Sequence, residues 1–85
     1  MIYRLYTEDK NRDSIVAIVS RAYNSFTLFQ GVGYWLGRAE QCLVIEIIAG
    51  EDELGVMEAI IGEIKNCNSQ DCVLLVMTPE ESKLI

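Results

Sequence analysis

The stretch that decides the fold is Phe26-Thr-Leu-Phe-Gln-Gly-Val-Gly-Tyr-Trp-Leu-Gly-Arg-Ala-Glu-Gln-Cys-Leu-Val-Ile-Glu-Ile-Ile-Ala49. Phe26 to Gln30 is rich in aromatic and β-branched residues and reads as a strand, running into Gly31-Val-Gly-Tyr-Trp35. Cys42 to Ala49 is the strongest strand pattern in the chain, and Leu36-Gly37-Arg38-Ala39 reads as the turn of a β-hairpin between the two. A helical pattern flanks the hairpin on each side. Before it, Ile15, Ile18, Val19, Ala22 and Tyr23 fall at helical spacing from Ser14 until Asn24-Ser25 stops them. After it come Leu54, Met57, Ile60, Ile61 and Ile64, with Gly62 costing that helix about 1 kcal/mol relative to alanine. Outermost lie two more strands, Ile2 to Thr7 and Asp71 to Thr78, the latter stopped by Pro79 and followed by a short tail, Glu80 to Ile85.

The connectors carry their own signals. Glu8 to Asp13 is charged, and Asn11 or Asp13 is suited to cap the first helix by accepting its orphan amide bonds. Glu51-Asp52-Glu53 places negative charge at the start of the second helix, where the macrodipole favours it. Asn66 to Gln70 reads as a polar loop.

The expected order is therefore β-α-β-β-α-β over a single domain, 1–85: an α+β, ferredoxin-like arrangement, with two helices on one face of a four-stranded antiparallel sheet. Such a sheet leaves its second face bare, and a wet face requires polar alternation. The strands do not alternate. Leu43, Ile45 and Ile47 oppose Cys42, Val44 and Ile48, while Val73, Leu75 and Met77 oppose Cys72, Leu74 and Val76. Both faces need cover, so the open face is expected to pack against identical subunits, most simply in a closed trimer. The competing reading, cover by long loops, has almost no chain to draw on.

Composition agrees. Of 85 residues, 51% are apolar and 24% charged, which excludes a disordered tail and exceeds what a lone domain of this size needs. The longest apolar run, Cys42 to Ile48 with Glu46 inside it, falls far short of the ~20 residues that span a bilayer, and no secretory signal opens the chain. A cytoplasmic protein with no membrane partner is expected. Seven basic against 13 acidic residues give a net charge of −6, which argues against binding nucleic acid. The chain has no histidine, which removes the usual neutral-pH base. Cys42, Cys67 and Cys72 lack metal-ligand spacing, so they are expected to be buried, reduced and small, with no metal and no cofactor.

Two places invite chemistry. In Gly31-Val-Gly-Tyr-Trp-Leu-Gly-Arg-Ala-Glu40, glycines let the backbone approach something flat, Tyr34 and Trp35 can stack on it, and Arg38 and Glu40 can meet its charges. Equally, the aromatics of a tight hairpin can pack on the core or on a neighbouring subunit. The second place is Glu46, a carboxylate among Val44, Ile45, Ile47 and Ile48. It either pairs with Arg4 or Lys10, or lines an intersubunit cleft and receives a ligand's amine or hydroxyls.

The ordered set Phe26 to Trp35, Glu40, Leu43-Val-Ile-Glu-Ile, a helix, and Gln70-Asp-Cys-Val-Leu-Leu-Val resembles a broad group of ferredoxin-like trimers. The group comprises the PII-like signalling proteins, a bacterial family of unknown function with a Gly-x-Trp hairpin, and the phage S-adenosylmethionine lyases. By the lyase resemblance, Tyr34, Glu40 and Gln70 take ligand-contacting positions. In those lyases the substrate's own carboxylate expels methylthioadenosine, so the protein folds and desolvates it without a strong base. This hairpin is shorter and the chain much smaller than theirs.

Two functions and a structural role follow. The favoured one is a binding protein whose subunit-interface pockets hold or sequester a nucleotide-like molecule, with Arg38 or Arg12 meeting phosphate and no catalytic residue. Small phage proteins of this kind act as sponges for nucleotide immune signals. The alternatives are an S-adenosylmethionine lyase and an assembly module without a ligand.

Overall fold

The computed structural model describes residues 1–79 and 83–85. Along the chain run β1 (Ile2–Glu8), α1 (Arg12–Ser20), β2 (Thr27–Trp35), β3 (Arg38–Ile48), α2 (Leu54–Asn68) and β4 (Leu74–Thr78). Every strand pairing is antiparallel, and the sheet order is β2-β3-β1-β4. This is the ferredoxin-like α+β arrangement. The first half of the expected tail, 80–82, lies outside the described residues.

Two periodicities meet to make the core. Alternate residues of the central strands, Tyr3 and Leu5 on β1 with Leu43, Ile45 and Ile47 on β3, are almost fully buried. The helices close over them with Ile15, Ile18 and Val19 from α1 and Met57, Ile60 and Ile64 from α2. Each such side chain contributes about 1.5–3 kcal/mol on burial.

Neither helix covers the opposite face, which is apolar in one row and carries the Arg4–Glu46 ion pair in the next. Directly paired residues share a face. One row therefore runs Phe29, Val44, Tyr6, Leu74, and the next runs Thr27, Glu46, Arg4, Val76. Phe29 remains 47% exposed, Ile48 53% and Leu74 60%.

β1 ends its pairing at Glu8 opposite Cys42, so β2 and β3 continue beyond it as a two-stranded arm. The arm closes more tightly than expected. Leu36 (φ 50°) and Gly37 (φ 78°) alone make the turn, while Arg38 and Ala39 already belong to β3, with Arg38 paired to Trp35. Two successive positive φ angles are the signature of a type I′ turn, whose twist matches the strands it joins. Leucine is a poor choice for its first position, since the left-handed region costs an L-residue roughly 1–2 kcal/mol. Leu36 is also 89% exposed, so its side chain returns nothing by packing within the chain. Leu36→Asn is expected to stabilise the isolated domain by about 1 kcal/mol in urea titrations. A loss of stability instead would mean that Leu36 makes contacts outside this chain.

Other boundaries move for local reasons. α1 begins at Arg12, before Ser14, and ends at Ser20; the Ala22 and Tyr23 amides bond back to Val19. α2 runs through Asn66 and Cys67 to Asn68, where a loop was expected. Ser69, in the left-handed conformation (φ 53°), then ends it: the Ser69 amide bonds Asn66 O and the Gln70 amide bonds Lys65 O. That pair is a Schellman motif. Residues 71–73 precede β4 without joining the sheet.

Neither expected side-chain cap forms. Asn11 holds the N-cap position of α1 in the left-handed conformation, but its side chain reaches α2. Glu53 precedes α2 without capping it, and no acidic residue lies in that helix's first turn. The Glu53 carboxylate accepts instead from Tyr23 Oη at 3.2 Å, and burial together with that carboxylate pushes the Tyr23 phenol up to about 12. The cysteines are free as expected but not uniformly buried, since Cys72 is exposed and Cys42 and Cys67 are half-buried.

Candidate functional site

Strand alternation divides the arm. Gly31, Gly33 and Trp35 of β2 share the open face with Cys42, Glu40 and Arg38, their direct partners on β3. Val32 and Tyr34, with Gln41 and Ala39 opposite, belong to the helix side. Tyr34 and Trp35 therefore cannot both stack on one ring from the same face, although both are largely exposed, at 76% and 65%.

On the open face the arm forms a shelf. The glycines leave two successive side-chain positions vacant between Phe29 and Trp35, and a Cβ at Gly31 would meet nothing within 4 Å. The indole of Trp35 walls one end. Arg38 stands directly across from Trp35 and Glu40 directly across from Gly33. Opposite residues of an antiparallel pair have Cβ atoms about 4.5–5.5 Å apart, so aromatic face, cation and carboxylate border a single vacancy. Arg38 and Glu40 make no side-chain hydrogen bond or ion pair with any described residue.

The remaining candidates lie elsewhere and are engaged. Glu46 shares the open face but sits six residues along β3 from Glu40, and Arg4 Nε donates to its Oε2 at 2.9 Å. The pairing with Arg4 is the plainer of the two readings of Glu46. Glu46 also borders a shallow depression with Ser25, Phe26, Thr27 and Ile48. Arg12, at the start of α1, donates from Nη2 to both Asp9 oxygens at 3.0 and 2.8 Å. Gln70 uses both ends of its amide internally: Oε1 accepts from Thr7 Oγ1 and Asn68 Nδ2, each at 2.8 Å, and Nε2 donates to Cys72 O at 2.7 Å. The seven candidates thus separate into an exposed open-face shelf of Trp35, Arg38 and Glu40, a distant ion pair at Glu46, and helix-side Tyr34, Arg12 and Gln70.

Sequence reasoning missed two hubs. One is Asn68, 2% exposed, which donates to Gln70 Oε1 and Thr7 Oγ1 and accepts from Asn11 Nδ2 at 3.1 Å. The signal was present: Met57, Ile61, Ile64 and Asn68 continue one helical stripe. The other is Asp9, which accepts from Gln30 Nε2 at 3.0 Å besides Arg12 and so ties the root of β2 to α1.

The hydrogen bonds from Arg12 and then Gln30 hold the Asp9 carboxyl below its ordinary value of 3.8. A depressed carboxylate stabilises the fold above the ordinary pKa, and that contribution is lost as pH falls through the lower folded value. Asp9→Asn is therefore expected to unfold at lower urea than the parent at pH 7, with the gap closing as the pH is taken below 3.8 and through the lower folded value. A gap of equal size at both ends of that range would assign the effect to something other than this ion pair. Cys42 lies near this cluster, and its thiol is pushed up by burial first and by Asp9 second.

Among the described residues, no helix is long and apolar enough to cross a membrane, and no three acidic or cysteine side chains group as metal ligands. Fold and arm together define a small ferredoxin-like domain with an uncovered, partly apolar sheet face and an exposed polar–aromatic shelf. No protein-family model matches the chain, and no curated protein matches it.

Proposed function

We propose that the chain is an oligomeric binding protein that holds or sequesters a small nucleotide-like molecule on the open face of its β2–β3 arm. The observation that carries this reading is the shelf itself: Gly31 and Gly33 leave room beside Trp35, and Arg38 and Glu40 border that room with their charges unspent. A planar base stands against the indole, Arg38 reaches a phosphate, and Glu40 accepts from the base or sugar. An exposed shelf on one chain holds a ligand weakly, so a second copy laid on the apolar open face supplies the opposite wall. A trimer is the assembly the sequence leads us to expect.

Binding is favoured over turnover because the residues the lyase reading requires do not meet on one chain. The lyase reading needs Tyr34, Glu40 and Gln70 on one ligand, whereas Gln70 is satisfied internally and Tyr34 lies on the helix side. Those three would have to come together across subunits.

Native mass spectrometry of protein purified from cells tests the proposal, since it reports subunit number and retained mass together. An oligomer carrying a nucleotide-sized mass that disappears in Arg38→Ala is the expected result. A bare monomer, or a retained mass unaffected by that substitution, would overturn it.

A further inference from the structure

The ligand of the shelf can be specified further, on the reading just given, by asking what base its carboxylate accepts. Trp35 occupies the end of the shelf, and the next position along the same face is Gly33, about 7 Å away at strand spacing. A ring stacked on the indole therefore stands above Gly33. Its edge across the sheet meets whatever lies opposite Gly33, and that residue is Glu40.

An ionised carboxylate only accepts, and it offers two oxygens side by side. The base edge that satisfies both must present two adjacent donors. Guanine does so, with N1–H and the N2 amino group. Adenine presents one donor and one acceptor there, the N6 amino group and N1, so a carboxylate facing it leaves one oxygen against a lone pair. Cytosine has the same mismatch, and uracil offers a single donor between two acceptors.

The other carboxylate on this face near the shelf is Glu8, opposite Cys42, and its Oε2 already pairs with Lys10 Nζ at 3.0 Å. Glu40 has no such partner among the described residues. We infer that the shelf selects guanine: Trp35 stacks on the base, Glu40 accepts from N1–H and N2–H, and Arg38 is left for the phosphate.

The chain has one tryptophan, so its fluorescence reports this position alone. Titrating the purified oligomer with GMP and with AMP is expected to quench Trp35 with GMP at least about tenfold more tightly, the scale of one good bidentate pair. Glu40→Gln replaces two acceptors by one acceptor and one donor, which suits adenine. That exposed substitution is expected to weaken GMP about tenfold and to remove or reverse the preference, with the far-ultraviolet circular dichroism unchanged.

Equal or tighter binding of AMP by the parent protein overturns the guanine inference while leaving the nucleotide reading standing. A guanine preference that survives Glu40→Gln removes Glu40 from the role. Absence of any response to either nucleotide overturns the binding proposal together with this one.

Discussion

Asn68→Ala is expected to lower the midpoint of urea unfolding by about 2 M, the largest loss of stability from any single polar substitution proposed for this domain. The side chain sits at the last turn of α2, 2% exposed, and ties that helix end to Thr7 on β1 and to Asn11 at the start of α1, 61 and 57 residues away in sequence. Its amide donates to Gln70 Oε1 at 2.8 Å and to Thr7 Oγ1 at 3.5 Å, and its carbonyl accepts from Asn11 at 3.1 Å. Truncation removes all three bonds, each worth about 1 kcal/mol net, and leaves a small polar cavity behind Thr7, itself 5% exposed.

About 3 kcal/mol is a large share of what an ordinary domain of this length possesses, roughly 4–13 kcal/mol at the usual 0.05–0.15 kcal/mol per residue. Asn24→Ala, in an exposed connector, is the control and is expected to stay within about 0.5 kcal/mol. Both must be compared at one protein concentration, because association adds to apparent stability. A midpoint shift no larger than the control's would mean that the network around Asn68 is replaced by water at no cost.

That network also shows where the sequence was legible and where it was not. The element order followed from periodicity, because Ile15, Ile18 and Val19 or Leu43, Ile45 and Ile47 each answer to one repeat and one face. Helix ends did not follow, because tertiary bonds decide them. Asn66 to Gln70 is polar and reads as a loop, yet Asn68 continues the stripe of Ile61 and Ile64 inward and finds buried partners there. Asn11 has the right type for a cap, but its side chain is better used against Cys67 O and Asn68.

The site was legible in its residue types and not in its geometry. Gly31, Gly33, Trp35, Arg38 and Glu40 stand out as a dense local pattern, and all five fall on one face. Tyr34 looked like a partner of Trp35 because it is adjacent in sequence, which in a strand places it on the other side. Gln70 and Arg12 read as ligand contacts, but Thr7, Asn68 and Asp9, which carry no motif, engage them within the chain.

The apolar open face gives the second large effect. Val44→Lys is expected to convert the proposed oligomer into folded monomers. Val44 lies between Phe29 and Tyr6 in the most apolar row of that face and is half-buried by its neighbours. In a single chain the lysine stem can lie along that row while its ammonium reaches water, so the domain keeps its fold. Between packed subunits there is no such exit. The charge is buried beside Glu46, whose carboxylate Arg4 already holds, at a cost of several kcal/mol in every subunit of the proposed assembly, and association weakens by at least about a hundredfold. Light scattering after size exclusion, with circular dichroism beside it, reads both halves of the expectation: monomer mass and unchanged secondary structure. A variant that keeps the parent's mass would show that the subunits meet elsewhere. The arm, with Leu36 89% exposed at its tip, would then be the next surface to charge. A parent protein already monomeric at the concentrations where it binds nucleotide would remove the second wall from the shelf, leaving Trp35, Arg38 and Glu40 to hold the ligand on their own.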